Sequence, residues 1–131
     1  MLRETFDPER HLTAAQLDRW VVELTLTGSV LDLRTDDTLD PLGLDDQVST
    51  GRSPAVWATA QALGDLVWHG YAARGRPAPA IVYRSRTTPQ HNANVTLFAH
   101  SVAEVLSVRR LRDLPGLLEA AVTADGFTLD L

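Results

Sequence analysis

Residues 53–85 read SPAVWATAQALGDLVWHGYAARGRPAPAIVYRS, and they hold the clearest helix signal of the chain, followed by a strand signal. Ser53 followed by Pro54 is a strong helix start, because serine caps the first turn and proline tolerates the first helical position. Apolar residues then recur every three or four positions, which predicts an amphipathic helix of about four turns over 54–69. Gly70 suits the end of that helix.

Short strands are predicted on both sides of this helix. Residues 20–27 alternate, with Val22, Leu24 and Leu26 on one side, which is typical of a half-buried strand. Further strands are expected at 30–33, 81–85, 94–98, 103–110 and 127–129. The other expected elements are a short helix capped by Thr13, a loop with one helical turn over 34–52, a loop over 72–80 and a last helix opened by Asp113-Leu114-Pro115. The pattern predicts an α+β fold with a small mixed sheet and flanking helices.

The composition excludes several kinds of chemistry. All twelve basic residues are arginines, and the chain has neither lysine nor cysteine. A lysine Schiff base, a P-loop lysine, a thiol nucleophile, a disulfide and a cysteine-ligated metal are therefore ruled out. The length of 131 residues fits a single domain over 1–131, and 44% hydrophobic residues suffice for a core without covalent staples.

The charge balance narrows the class of partner. The chain has 17 acidic and 12 basic residues, a net charge of −5, which argues against a nucleic-acid binder. Arginines nevertheless cluster at 74–76, 84–86 and 109–112, and such clusters suit phosphate or carboxylate groups. No apolar run reaches the roughly 18 residues of a membrane span, and the first residues lack a signal-peptide core. We therefore expect a cytoplasmic protein without a membrane partner.

Common catalytic and metal-binding motifs are absent from the sequence. The four histidines, at 11, 69, 91 and 100, show no metal-ligand spacing, so no metal site is predicted. The aspartate-rich stretch 34–52 lacks the central glycine and terminal glutamate of a calcium loop, so a solvated acidic loop is expected there.

Four features occur in a fixed order along residues 3–100. They are the acidic start Arg3-Glu4-Thr5-Phe6, the strand ending in Leu31-Asp32-Leu33, the helix 54–69 with Gln61, and Tyr83-Arg84-Ser85 followed after a polar loop by Val95-Thr96-Leu97-Phe98. In this order they resemble the C-terminal two-thirds of the RES domain, a family named for its Arg, Glu and Ser. Residues 101–131 have no counterpart in the resemblance.

The resemblance implies a fold related to ADP-ribosyltransferases and the toxin of a bacterial toxin–antitoxin pair. Such a toxin degrades NAD+ as its substrate by cleaving the nicotinamide–ribose bond, and it needs no further cofactor. It also implies a helix-turn-helix antitoxin protein as partner. The family arginine lies in an N-terminal strand upstream of the glutamate, so the chain is expected to be an N-terminally truncated RES-like domain. A misassigned start codon, a fragment and a protein that has lost part of its site are the three explanations that stay open.

The resemblance also assigns roles to particular residues. Glu4 would be the catalytic carboxylate that stabilises the oxocarbenium-like state, and Ser85 the family serine. Tyr83 would support the same strand end and contact NAD+. Arg84 or Arg86 would replace the missing arginine as the clamp on the pyrophosphate.

Each assignment has a structural alternative. Glu4 alone is also typical of a solvated carboxylate near a chain end, and Ser85 of a strand-end hydroxyl bonded to nearby backbone. Tyr83 fits a core position with a satisfied hydroxyl, and Arg84 and Arg86 fit solvent-facing positions. For the whole chain the alternatives are a non-catalytic RES-like module that docks an antitoxin-like partner, or a chance resemblance in an α+β domain.

Overall fold

The structure, a computed structural model, describes residues 9–87, 92–99 and 101–130. Within these ranges the chain is a mixed α+β structure, as the sequence predicts. The described strands form three small sheets, whereas a single small mixed sheet was expected. Contacts divide the chain into two compact units, one of Met1–Thr25 and Ala103–Leu131 and one of Leu26–Val102. Glu4 lies outside the described residues, and the single-domain organisation stays a prediction.

In chain order the strands are β1 (His11–Leu12), β2 (Trp20–Thr27), β3 (Val30–Asp32), β4 (Ala80–Arg84), β5 (Ala93–Thr96), β6 (Val102–Arg110) and β7 (Thr128–Leu129). The helices are α1 (Ala14–Leu17), α2 (Asp36–Leu39), α3 (Gln47–Thr50), α4 (Pro54–Ala72) and α5 (Pro115–Asp125), with 3-10 turns at Asp40–Leu42 and Leu111–Asp113. The predicted strands are confirmed to within two residues at each end, and β1 is an additional one.

The first unit closes around a small apolar core. Its buried members are Leu12, Leu17, Leu111, Ala121 and Phe127. β1 pairs in parallel with β7 beside this core. The helix predicted after Thr13 is confirmed as α1, and Thr13 and Gln16 form a reciprocal capping box in which each side chain accepts from the other residue's backbone N–H.

β2 and β6 pair in a two-stranded sheet, but the predicted burial of β2 is wrong. Val22, Leu24 and Leu26 are 48%, 43% and 38% exposed, although they form the apolar side of the alternation. It is Val21, on the opposite side of the strand, that packs against the core of the first unit. The alternation therefore identified the strand correctly and assigned the wrong face to the core.

The second unit is built on a three-stranded sheet in the order β3-β4-β5. β3 runs parallel to β4, with Leu31 opposite Ile81, and β5 runs antiparallel to β4. The helices α2, α3 and α4 form the connection between the parallel strands β3 and β4. The core of this unit consists of Leu33, Leu39, Val48, Val67, Ala78 and Ile81.

Helix α4 begins as predicted and ends later than predicted. Ser53 Oγ accepts a hydrogen bond from the Val56 backbone N–H at 3.3 Å, so the predicted cap is confirmed. The predicted end at Gly70 is wrong, because the helix continues to Ala72. The chain turns instead at Gly75, whose φ of +62° is a conformation that glycine adopts without strain.

The region 34–52 contains more helix than predicted. Two short helices, α2 and α3, and the 3-10 turn Asp40–Leu42 occupy most of a segment expected to be loop with one helical turn. Asp36 and Asp37 lie in the first turn of α2, where negative charge is favourable. Polar composition alone did not reveal these single-turn helices, which bury Leu39 and Val48 against the core of the unit.

Candidate functional site

A pocket of about 310 Å³ lies in the second unit, between its helices and its sheet. Its lining residues come from four of the elements and the segments next to them: Leu33, Val48, Ser49, Ala60, Gln61, Leu63, Gly64, Ile81, Tyr83, Arg86 and Thr96. The volume is at the low end for a small-molecule pocket, and the mixture of apolar walls with a few polar groups is typical of one.

Strand alternation explains which residues of β4 reach the pocket. Ile81 and Tyr83 are two positions apart and share one face of the strand, and both line the pocket. Thr96 of β5 pairs with Ile81 across the antiparallel ladder and extends the same wall. Arg84 directly follows Tyr83, so its side chain lies on the opposite face of the strand. It is not among the lining residues of the pocket.

Two polar atoms at this pocket are buried without a hydrogen-bond partner among the described residues. They are Ser49 Oγ and Arg86 Nε. Ser49 is only 3% exposed, so its hydroxyl is withdrawn from water as well. A buried donor without a partner costs about 1–3 kcal/mol, and a ligand that accepts from these groups would recover that cost.

Arg86 gives the pocket a positive charge. The other described residues that line the pocket are apolar or neutral, and none of them is a carboxylate. Its guanidinium carbon lies 5.5 Å from the centre of the Trp57 ring, a cation–π distance, and the Trp57 Nε1–H donates to the Gly51 carbonyl at 3.3 Å. The tryptophan therefore holds the arginine from one side and leaves its N–H groups for an anion.

Arg84 is engaged elsewhere. Its Nη2 and Nε donate to the backbone carbonyl of Arg34 at 2.8 and 3.3 Å. Arg34 in turn forms an ion pair with Asp32, Nη2 to Oδ2 at 2.6 Å. Hydrogen bonding to the Arg34 side chain lowers the pKa of the Asp32 carboxyl below its usual value of 3.8. Arg84 thus fastens the loop after β3 to the end of β4.

Ser85 lies directly after β4 and does not line the pocket. Its side chain is fully buried, its hydroxyl accepts from the Thr87 backbone N–H at 3.3 Å, and it lies 3.2 Å from Thr87 Oγ1. Its own backbone N–H donates to the Asn92 carbonyl at 3.0 Å. Ser85 therefore shapes the turn that carries Arg86 to the pocket.

The structure thus brings together Tyr83 and Arg86 of the predicted site residues and places Arg84 and Ser85 outside the pocket. Glu4 lies outside the described residues. Sequence reasoning missed Ser49 and did not assign a role to Gln61. Ser49 carried no signal, because it lies in a segment predicted to be loop, whereas Gln61 is a polar residue in the middle of an otherwise apolar helix and could have been selected.

The fold and the pocket together define a mixed α+β protein with a small, positively charged cavity. No family model matches the chain, and comparisons with curated proteins and with solved structures find no match either. No helix among the described residues is long and apolar enough to cross a membrane. The described residues also contain no group of histidines and carboxylates that is arranged to hold a metal ion.

Proposed function

We propose that the pocket of the second unit binds the pyrophosphate-bearing part of NAD+, and that the protein is a RES-type enzyme that cleaves the nicotinamide–ribose bond. One observation carries the proposal. Arg86 and Ser49 line the same cavity, and Arg86 Nε and Ser49 Oγ are both buried without a hydrogen-bond partner among the described residues. A phosphate oxygen accepts hydrogen bonds from both residue types, and a charge-assisted bond is about twice as strong as a neutral one.

The resemblance to the RES domain supplies the identity of the ligand. Two residues of the segments that carry the resemblance line this cavity beside Arg86. They are Tyr83 of the Tyr-x-Ser segment and Gln61 of the helix that contains the tryptophans. A volume of about 310 Å³ accommodates a part of a dinucleotide, so the remainder would lie outside the cavity. In this assignment Arg86 takes the place of the family arginine as the phosphate clamp.

The chemistry moves positive charge from the nicotinamide ring to the ribose. The bond between the nicotinamide nitrogen and ribose C1′ breaks, and the electron pair leaves with neutral nicotinamide. The oxocarbenium-like ribose that remains is stabilised by a carboxylate, which the resemblance assigns to Glu4. The acceptor then attacks C1′ and releases a proton to the solvent. The product is free ADP-ribose if the acceptor is water, a phosphorylated ADP-ribose if it is phosphate, and a modified macromolecule otherwise.

The proposal is tested by incubating the full chain with NAD+ and measuring released nicotinamide by chromatography. We expect the wild type to release nicotinamide. Arg86→Gln should release it much more slowly, and Glu4→Gln should release no nicotinamide. Arg74→Gln is the matched control, because Arg74 is an exposed arginine that donates to the Gly70 carbonyl at the end of α4. No nicotinamide release by the wild type, or equal release by the Arg86 and Arg74 variants, refutes the enzymatic proposal.

A non-catalytic RES-like module that binds a helix-turn-helix antitoxin protein is the second candidate. The burial of Ser85 in a turn favours it, since the family serine then has a structural role and does not face the ligand. This candidate predicts NAD+ binding without release of nicotinamide, together with co-purification of the protein encoded by the adjacent gene. Nicotinamide release by the wild-type chain excludes it.

A further inference from the structure

One face of the β2–β6 sheet exposes a row of large apolar side chains. They are Trp20, Val22, Leu24, Leu106 and Val108, and we call this set the ribbon face. Each of them is between 43% and 62% exposed. All five belong to the first unit, whereas the pocket is lined by residues of the second unit. A contiguous apolar surface of this kind marks a place where another molecule binds.

Two contacts establish which residues share the ribbon face. Ser107 Oγ donates to Glu23 Oε2 at 2.9 Å, so these two side chains lie on the opposite face. Side chains alternate along a strand, which puts the even-numbered residues of both strands on the ribbon face. The Arg110 guanidinium lies 5.2 Å from the centre of the Trp20 ring and belongs to that face too. Both contacts also show that β2 and β6 run antiparallel.

The charges on the ribbon face are ordered. Along β6 the even-numbered positions read Glu104, Leu106, Val108 and Arg110, so an acid and a base lie at opposite ends of two apolar residues. The two charges are six positions apart on an extended strand, a distance of about 20 Å. If a second β6 strand lies over the first and runs in the opposite direction, the acidic residue of each strand faces the basic residue of the other. The apolar residues then face apolar residues, so the pattern is complementary to itself.

We propose that the ribbon face binds the ribbon face of a second copy of this chain in a twofold dimer. The twofold axis lies between the two sheets, perpendicular to the strands and level with Ser107. Leu106 then packs on Val108 of the second copy, and Glu104 pairs with Arg110 of the second copy at each end. Twofold symmetry generates every contact twice, and sheets stacked in this way lie about 10 Å apart.

Arg110 has donors to spare for this contact. It forms an ion pair with Asp18, Nη1 to Oδ1 at 2.9 Å, and its side chain remains 46% exposed. A guanidinium carries five N–H donors in a planar fork, so the bond to Asp18 leaves others for a carboxylate of the second copy. The same bond and the Trp20 ring hold Arg110 in place before association, which reduces the entropy lost on binding.

Sedimentation velocity on the full chain, over a concentration series up to about 1 mM, tests the proposal. We expect a species of twice the 14.3 kDa chain mass to form with rising concentration. Leu106→Glu places two carboxylates near the twofold axis and should weaken association by about 100-fold or more. Val105→Glu is the matched control: Val105 is 57% exposed against 56% for Leu106, on the opposite face of the same strand. It should leave association unchanged.

A charge reversal tests the direction of stacking. Glu104→Arg faces Arg110 of the second copy with a like charge and should weaken association by about tenfold. Adding Arg110→Glu should recover part of this loss, because opposite charges face each other again while the contacts of Arg110 with Asp18 and Trp20 are lost. Circular dichroism confirms that each variant is folded. A wild-type chain that stays monomeric throughout, or equal effects of Leu106→Glu and Val105→Glu, overturns the proposed interface. A double variant no tighter than Glu104→Arg overturns the antiparallel stacking.

Discussion

Replacement of Ser49 by alanine should make the protein more stable, against the usual effect of a substitution at a buried position. Ser49 Oγ is buried and has no partner among the described residues, so the folded state bears the cost of removing it from water. That cost is about 1–3 kcal/mol for a buried hydroxyl. Alanine also favours the helical conformation of α3 slightly more than serine does. We expect the free energy of unfolding to rise by about 1 kcal/mol or more.

Ser85→Ala provides the matched comparison. Both serines are almost completely buried, at 3% and 0% exposure, but the Ser85 hydroxyl is hydrogen-bonded to Thr87. Its removal leaves the Thr87 backbone N–H without that partner, so we expect a loss of about 1–2 kcal/mol. The two Ser→Ala substitutions thus remove the same atom and should change stability in opposite directions.

Urea denaturation followed by circular dichroism measures both changes, first without ligand and then with NAD+ in excess. At a ligand concentration 100 times the dissociation constant, binding adds about 2.7 kcal/mol to the stability of the wild type. Without ligand, the Ser49→Ala variant should be more stable than the wild type. With NAD+ in excess, the ligand should add less to the stability of this variant than to that of the wild type. A loss of stability on Ser49→Ala without ligand would show that the hydroxyl has a partner within the protein, and the reasoning about the pocket would be refuted.

Two further predictions concern the elements that build the second unit. Gly51→Ala should destabilise the protein by about 1–3 kcal/mol, because a Cβ there would lie 2.7 Å from both the Gln47 carbonyl oxygen and Val56 Cγ1. Gly64 lies in the middle of α4, and a Cβ added there would have no atom within 4 Å, so Gly64→Ala should stabilise the protein by about 0.5–1 kcal/mol. Equal shifts in melting temperature for the two variants would contradict the close packing at Gly51. Asp32→Asn should lower stability at neutral pH, because the carboxylate bonded to Arg34 has a lowered pKa and stabilises the fold above its unfolded pKa. The difference between wild type and Asp32→Asn should vanish as the pH falls below 3.8 through the lowered value, and a constant difference down to pH 2 would contradict the ion pair as its cause.

The local signals in the sequence predicted most of the elements because they act over a few residues. Ser53-Pro54 marked the start of α4, Thr13 marked α1, and the apolar runs marked the strands of the second unit. The face of β2 that meets the core could not be predicted in this way. Alternation distinguishes two faces, but which face is covered depends on elements far away in the chain, and here Val21 packs on the core while Leu24 is exposed.

The candidate site was predicted in part for a similar reason. Tyr83 and Arg86 belong to one short segment, and both reach the pocket. Arg84, between them, points to the Arg34 carbonyl because successive residues of a strand face opposite sides. Ser49 comes from a separate helix turn, and only the folding of α3 against the sheet brings its hydroxyl to the same cavity as Arg86.

Calorimetric titration of NAD+ into the full chain is the most direct test of the claim that Arg86 clamps the ligand in this pocket. We expect binding by the wild type, a loss of about 10- to 100-fold in affinity for Arg86→Gln, and unchanged affinity for Arg74→Gln. Arg86→Lys should fall between wild type and Arg86→Gln, because lysine keeps the charge and loses the planar fork. Equal affinity of the wild type and Arg86→Gln, or no heat of binding from the wild type, would contradict the role of Arg86 as the clamp on NAD+.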